Sequence, residues 1–277
     1  MVNLALAIKL PYIGTCNNPV DMSTINDGNV NFTISEEGIA IISFYHPAQN
    51  SLPSQLLKTL ADAIYSCGAN PEVRVIILQS GGDRTFCAGA SFDELLAIKD
   101  EQTGAAFFSG FANVINACRK CGKIIIARVQ GKAVGGGVGL AAAADYCLAT
   151  ENASVKLSEL AIGIGPFVIS PAVMRKIGLP AFSQLTIRAT DFQSAHWAYE
   201  KGLFNEVYDD IPALNEAVLT LSRKLAAYHP SALVNLKQIL WEGTGDWDSL
   251  LTERAAISGK LVLSEFTQQA LQQFLNK

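Results

Sequence analysis

The sequence lacks the features that mark several classes of protein. Its 277 residues carry a net charge of −4, and the 21 Lys and Arg residues form no cluster. Nucleic-acid binders generally carry a basic face, so we expect no nucleic-acid partner. The most apolar stretch, 133–144, is too short to span a bilayer. The N-terminus has no basic region, and Lys9 interrupts its apolar run. We therefore expect no signal peptide, no membrane partner and a soluble, cytoplasmic protein.

Cysteine and histidine are few, and their spacing predicts no specialised site. The six cysteines match no disulfide framework, which favours reduced thiols in an intracellular enzyme. Cys118 and Cys121 form a lone pair, whereas a structural zinc site needs four ligands, so no metal is predicted. The three histidines, His46, His196 and His229, give no convincing Ser-His-Asp set.

Repeated β-α units followed by helices indicate an α/β fold. Apolar residues make up 49% of the chain, enough for a sizeable core. We divide the chain into a loosely ordered extension (1–30), a core (31–210) and a helical C-terminal region (211–277). The pattern after Ser170 is almost entirely helical. Within the core the sequence predicts strands at 32–35, 39–44, 73–78, 124–129, 146–149 and 155–157, and helices at 53–66, 104–118 and 140–144.

Two loops rich in small residues, 85–92 and 131–139, each follow a predicted strand and lead into a helix. Small residues let another molecule approach the backbone closely, and N–H groups at a helix start can face an anion. Brought together, the loops would form an oxyanion hole, although such turns often serve only tight packing. A dinucleotide site is a rival interpretation, because 137–142 matches a loose fingerprint and Glu159 lies 20 residues after Gly139.

Several motifs occur in the order found in the crotonase (enoyl-CoA hydratase/isomerase) superfamily, and the chain resembles that family over about residues 31–277. The motifs are H-P-A-Q-N-S-L (46–52), F-C-A-G-A-S (86–91), G-K-A-V-G-G-G (131–137), D-Y-C-L-A (145–149) and the segment 194–207. The resemblance implies a twisted β-β-α spiral core with a helical C-terminal region that forms trimers, often paired into hexamers.

The resemblance also implies an acyl-CoA substrate and assigns the site residues. It places the two oxyanion N–H groups on Ala88 and Gly136, and it places Ala88, Gly89, Ala90, Ser91 and Gly136 along the substrate. Ser91 replaces the family's aspartate, which we expect to change the hydrogen bonding of the loop. No cofactor is expected beyond the coenzyme A that the substrate carries.

Two positions bear on the reaction. Family hydratases use two glutamates to activate water; here the first is Gly139, whereas the second is retained as Glu159. One base suits a shift of a 3-enoyl-CoA double bond to 2-enoyl-CoA through a dienolate, and apolar neighbours are expected to raise the pKa of Glu159. The alternatives are a hydratase, a decarboxylase in which Lys132 or His196 binds a substrate carboxylate, and a non-catalytic or RNA-binding module.

Overall fold

The computed structural model describes residues 28–275, with side chains for residues 28–273. The predicted extension, 1–30, lies outside this part of the chain except for its last three residues. Two of these three residues are not part of a loose extension, because the first strand begins at Asn29.

The chain opens with the predicted hairpin, which is confirmed. Strands β1 (Asn29–Ile34) and β2 (Ile39–Tyr45) pair antiparallel. Gly38 closes the turn with a φ of 77°, a left-handed conformation that favours glycine. The predicted first helix is α1 (Ser54–Ala69), and the apolar stripe that indicated it is buried: Leu56, Leu57, Leu60 and Ile64.

The remaining elements follow the expected alternation. The strands are β3 (Ser51–Leu52), β4 (Val75–Ser80), β5 (Thr85–Cys87), β6 (Gly89–Ala90), β7 (Ile124–Val129), β8 (Lys132–Val134), β9 (Tyr146–Thr150), β10 (Ser154–Lys156), β11 (Gln193–Ser194) and β12 (Glu206–Tyr208). The helices are α2 (Phe92–Ala97), α3 (Glu101–Lys120), α4 (Gly136–Ala143), α5 (Ser170–Ile187), α6 (Ala195–Glu200), α7 (Ile211–Ala227), α8 (Pro230–Leu240), α9 (Trp247–Leu261) and α10 (Glu265–Leu275), with a short 3-10 helix at Glu159–Ile162.

Three sheets organise these elements. The largest has the order β1-β2-β4-β7-β9-β12, and all its pairs after the first hairpin are parallel. Its strands β4 and β7 are buried almost throughout, as the continuous apolar runs predict. The smaller sheets, β11-β10-β8-β5 and β3-β6, hold the segments that follow these strands. The two predicted loops therefore rest on paired strands.

The C-terminal helices cover the sheet and the central helix. Helix α7 packs its Leu214 and Val218 on the face of the large sheet that carries Ile77 and Ile126. Helix α9 lies against α3 so closely that a Cβ added at Gly104 would sit 2.7 Å from the carbonyl oxygen of Gly259.

A buried ion pair fastens α8 to the core. Lys237 and Asp145 approach to 2.6 Å, with side chains that are 3% and 2% exposed. The other carboxylate oxygen of Asp145 accepts the indole N–H of Trp241 at 2.7 Å, and its first oxygen also accepts the N–H of Ile125. A buried charge needs such partners, so Asp145 has a structural role in joining the two parts of the chain.

The region after Ser170 contains two strands that the helical pattern did not predict. Strand β11 pairs with β10 and strand β12 with β9, over two and three residue pairs. Segments this short carry no periodicity of their own, and they are extended because neighbouring strands pair with them. Among the described residues, none of the helices is both long and apolar enough to cross a membrane.

Candidate active site

A glycine and a helix cap determine the conformation of the first small-residue loop. Gly89 has a φ of +93°, which a side chain rarely allows. Ser91 ends the loop as the N-cap of α2, where its hydroxyl accepts the N–H of Glu94 at 3.4 Å. Ser91 thus caps the start of α2 where the family motif has aspartate, and both residue types are good N-caps.

The second loop turns sharply into α4. Gly135 precedes the helix with a φ of 53° and a ψ of −118°, and its N–H donates to the carbonyl of Lys156 at 2.8 Å. Gly136 is the first residue of α4. The N–H of a first helical residue has no acceptor within its own helix, so the Gly136 N–H is open to an outside acceptor.

The two loops lie against each other. A Cβ at Gly137 would lie 2.3 Å from the carbonyl oxygen of Cys87, and one at Gly89 would lie 3.4 Å from the backbone nitrogen of Gly136. Only glycine permits this approach at position 137. The sequence pattern of two separate loops therefore becomes one surface of backbone groups.

Glu159 reaches this surface from the third segment. It begins the 3-10 helix Glu159–Ile162, which ends at Gly163 with a φ of 82°. A Cβ at Gly135 would lie 2.9 Å from Oε1 of Glu159. The structure thus brings together Glu159 and Gly135 of the second loop, which lie 24 residues apart in the sequence.

The carboxyl group of Glu159 is poorly solvated. Its Oε2 is buried and has no hydrogen-bond partner among the described residues. Burial raises the pKa of Glu159 to about 7, against a small lowering by a backbone hydrogen bond. Desolvation disfavours the charged form of a carboxyl group, so Glu159 is poised to take up and release a proton near neutral pH.

One predicted backbone donor is engaged elsewhere. The N–H of Ala88 donates to the carbonyl of Gln49 at 3.2 Å, and the N–H of Gly89 faces Sγ of Cys87 at 3.4 Å. Gln49 is 39 residues earlier in the chain, and the F-x-A-G motif alone gives no sign of this contact. Ala88 still lines the cavity together with Ala90.

The cavity beside Glu159 is small and mostly apolar. Its volume is about 60 Å³. Sequence reasoning missed most of its wall, which comes from α3, from the segment after Gly163 and from α9. The lining includes Phe92, Leu95, Phe108, Phe111, Ile162, Ile164, Phe167, Ile169 and Ser258 beside Ala88, Gly89, Ala90, Gly135, Gly136 and Glu159. The aromatic spacing 107, 108 and 111 on a predicted helix was the available signal.

A larger crevice adjoins this cavity. It has a volume of about 760 Å³ and shares Ala88, Ala90 and Phe92 with the inner cavity. Ser91 and Lys156 also line it. All five predicted binding residues, Ala88 to Ser91 and Gly136, therefore lie along the inner cavity or the crevice.

Position 139, three residues after Gly136 on α4, leaves no space for a second carboxylate beside Ile169. A Cβ added at Gly139 would lie 2.4 Å from Cγ2 and 2.8 Å from Cβ of Ile169, which itself lines the cavity. Real side chains do not approach this closely, so a side chain at position 139 requires Ile169 to move.

The structure separates several other candidates from the site. Lys132 lies over the ring of Phe192, and His196 pairs with Glu200 at 3.2 Å on the surface. The rival dinucleotide interpretation also fails on topology: β8 and β9 flank the glycine-rich segment but belong to different sheets, whereas the fingerprint needs one compact βαβ unit.

Comparison with known proteins shows to which family the chain belongs. A protein-family model described as enoyl-CoA hydratase/isomerase matches residues 35–277. The carnitinyl-CoA dehydratase of Salmonella enteritidis is 31% identical over 72% of this chain and 75% of its own. The short-chain-enoyl-CoA hydratase of Clostridium acetobutylicum is 28% identical over 89% of this chain and 95% of its own.

Solved structures share the fold. An enoyl-CoA hydratase from Bacillus halodurans superposes with a TM-score of 0.82 at 20% identity, covering 88% of this chain and 99% of that one. An enoyl-CoA hydratase/isomerase (crotonase) from Legionella pneumophila superposes with a TM-score of 0.73 at 28% identity, covering 90% and 96%. The predicted α/β crotonase-like fold is thereby confirmed, and the chain is an enzyme of the enoyl-CoA hydratase/isomerase family.

Proposed function

We propose that the protein shifts the double bond of a 3-enoyl-CoA to give the conjugated 2-enoyl-CoA. One observation carries the proposal: Glu159 is the only carboxylate among the described residues that line the inner cavity. Water addition in the family uses two glutamates, and here Ile169 fills the space that a side chain at position 139 needs. A double-bond shift needs one base, since the same proton is removed and returned.

The proposed mechanism uses Glu159 twice. Its carboxylate removes a proton from C2 of the substrate, and the electron pair moves onto the thioester oxygen to give a dienolate. The protonated Glu159 then returns the proton to C4, which leaves the double bond between C2 and C3. A pKa of about 7 supports this cycle, because a base near the operating pH both accepts and releases a proton.

Backbone donors stabilise the dienolate oxygen in this mechanism. Gly136 supplies one N–H from the start of α4. For the first loop, the Ala88 N–H serves only if it releases the carbonyl of Gln49, now 3.2 Å away. Ala90, which lines both the cavity and the crevice, is the alternative donor.

The loop donor can be identified by replacing single amides with esters. An ester at position 88 or at position 90 deletes one N–H and leaves the side chain unchanged. Removing a true oxyanion donor costs about 10²–10³ in kcat. If Ala90 donates, the ester at 90 produces this loss and the ester at 88 does not.

The crevice supports the assignment of an acyl-CoA substrate. It opens beside the inner cavity, its volume of about 760 Å³ suits a large moiety, and Lys156 contributes a positive charge to its wall. We propose that the coenzyme A portion lies there while the acyl group enters the small apolar cavity. The substrate brings its own coenzyme A, so the proposal needs no further cofactor and no metal.

Hydration of a 2-enoyl-CoA is the second candidate, because the relative from Clostridium acetobutylicum is named a short-chain-enoyl-CoA hydratase. Decarboxylation has less support: a substrate carboxylate needs a cation, and no Lys or Arg is found among the described residues that line the inner cavity.

We also propose that the protein assembles as a homotrimer or hexamer in the cytoplasm. Helix α8 exposes Leu236, Ile239 and Leu240 at 45%, 65% and 42%. Clustered exposed apolar residues mark protein contacts. Light scattering of the purified protein tests this, and a monomeric mass would contradict it.

The reaction is tested with trans-3-hexenoyl-CoA. We expect the conjugated-thioester absorbance to grow with no change in mass, and we expect Glu159→Gln to abolish the growth. The control is Glu242→Gln, which neutralises an exposed glutamate remote from the site. Absence of isomerisation, together with a gain of one water by a 2-enoyl-CoA, would refute the isomerase and favour the hydratase.

A further inference from the structure

A second cavity lies on the opposite side of the large sheet, under α7. It has a volume of about 280 Å³ and shares none of its lining residues with the active-site cavity or the crevice. Arg128, Gln79 and Asn215 form its polar end. The family match assigns this cavity no role.

The polar end of this cavity interrupts the apolar face of the large sheet that packs against α7. Three neighbouring strands each present an apolar residue to α7, Ile41, Ile77 and Ile126, and then a polar residue two positions later. These polar residues are cross-strand neighbours: Ser43 pairs with Gln79, and Gln79 pairs with Arg128. Alternation along a strand puts residues two apart on one face, so the polar row adjoins the apolar residues that pack against α7.

Arg128 is buried without a counter-ion. Its exposed fraction is 9%, its Nε donates to Asn215 at 2.6 Å, and its Nη1 donates to Gln130 at 3.2 Å. Both acceptors are neutral amides. Among the described residues, no carboxylate lies within ion-pair distance of the guanidinium, although other arginines such as Arg119 have one. Two of its five N–H donors are thus used, and it stays charged because a guanidinium does not deprotonate in proteins.

A buried charge that lacks an opposite charge is costly unless an ion pairs with it. The cavity gives a ligand direct access to Arg128, and a guanidinium binds a carboxylate through two parallel hydrogen bonds. The amide of Asn215 accepts from Arg128 through Oδ1, which leaves its NH₂ group to donate to the same ligand.

The other residues that line the cavity indicate which kind of anion fits beside Arg128. Ile77, Val218 and Leu219 make it apolar, and among the described residues that line it Arg128 alone is charged. One cation suits a singly charged ligand better than a phosphate dianion, and the apolar wall suits a short hydrocarbon group. We propose that this cavity binds a small monocarboxylate with a short alkyl chain, in a site separate from the active site.

Isothermal titration of the purified protein with butyrate tests the site at constant ionic strength. We expect saturable binding, retained in Arg223→Gln and weakened at least tenfold in Arg128→Gln. Arg223 is the matched control, because it also belongs to the α7 region but is exposed and pairs with Glu37. Thermal unfolding of each variant checks that it is folded.

A second variant protects the test against a misfolded Arg128→Gln. Asn215→Leu keeps the guanidinium and removes one donor, and we expect it to weaken butyrate binding as well. Absence of saturable butyrate binding to the wild type would overturn the proposal. So would binding that survives in Arg128→Gln, or phosphate binding that is tighter than that of butyrate.

Discussion

The pH dependence of catalysis follows directly from the burial of Glu159. The proposed base works only when it is deprotonated, and burial raises its pKa from 4.5 to about 7. The rate with a limiting concentration of substrate must therefore rise as the pH increases through the neutral range. This direction follows from the role of base, since an essential acid with the same pKa would give a falling rate.

The size of the effect follows from the titration curve. With a pKa of about 7, roughly a tenth of the molecules carry the carboxylate at about pH 6 and roughly nine tenths at about pH 8. The expected increase in kcat/KM is therefore about tenfold. A glutamate that keeps the ordinary value of 4.5 would be almost fully deprotonated at both, so the increase would be negligible.

The assay is the initial rate of conjugation of trans-3-hexenoyl-CoA over a range of pH, with substrate well below KM. This quantity reports the ionisation of the free enzyme, which the structure describes. Glu242→Gln should keep the inflection, because that residue is exposed and remote from the cavity. A flat profile across the neutral range, or an inflection near the ordinary glutamate value, would refute the argument that desolvation controls this base.

Three further predictions concern stability and specificity. The pKa of Glu159 is higher in the folded than in the unfolded state, so the stabilisation that comes from its protonation is fully present below about pH 4.5 and is lost as the pH rises through about 7. Glu159→Gln should therefore raise the free energy of unfolding, measured in urea, by about 3 kcal/mol near pH 8, with no gain near pH 4. Gly139→Ala should lower the free energy of unfolding by about 1–3 kcal/mol, although alanine favours helices more than glycine does, because the new Cβ meets Ile169. Gly122→Ala is the control and should not destabilise the fold, because a Cβ there has no atom within 4 Å. Phe108→Ala should enlarge the cavity and raise the ratio of kcat/KM for octenoyl over hexenoyl substrates at least tenfold; an unchanged ratio would contradict its position in the wall.

Much of the fold was predictable because its signals are local. The stripe at Leu56, Leu57, Leu60 and Ile64 specifies a helix with one buried face, and the structure buries that face. The continuous apolar runs of β4 and β7 specify strands covered on both sides. Each of these conclusions needs only the residues of the element itself.

The parts of the site that escaped prediction depend on contacts between distant segments. The N–H of Ala88 meets a carbonyl from the earlier hairpin segment, that of Gln49. The small cavity is closed by Phe108 from α3 and by Ile169 from the segment before α5. No pattern within the loop 85–92 contains this information, so the motifs indicate which loops belong to the candidate site but not which of their N–H groups are open.

Gly139 and the raised pKa of Glu159 both bear on the proposed reaction. Ile169 occupies the space over α4 that a side chain at position 139 would need, and it is part of the mostly apolar lining of the cavity. In this cavity Oε2 of Glu159 has no hydrogen-bond partner among the described residues. Burial of the carboxyl group disfavours its charged form and so raises its pKa. These features support the proposed double-bond shift, because one base with a pKa near neutral can remove a proton and return it without a second carboxylate to activate water.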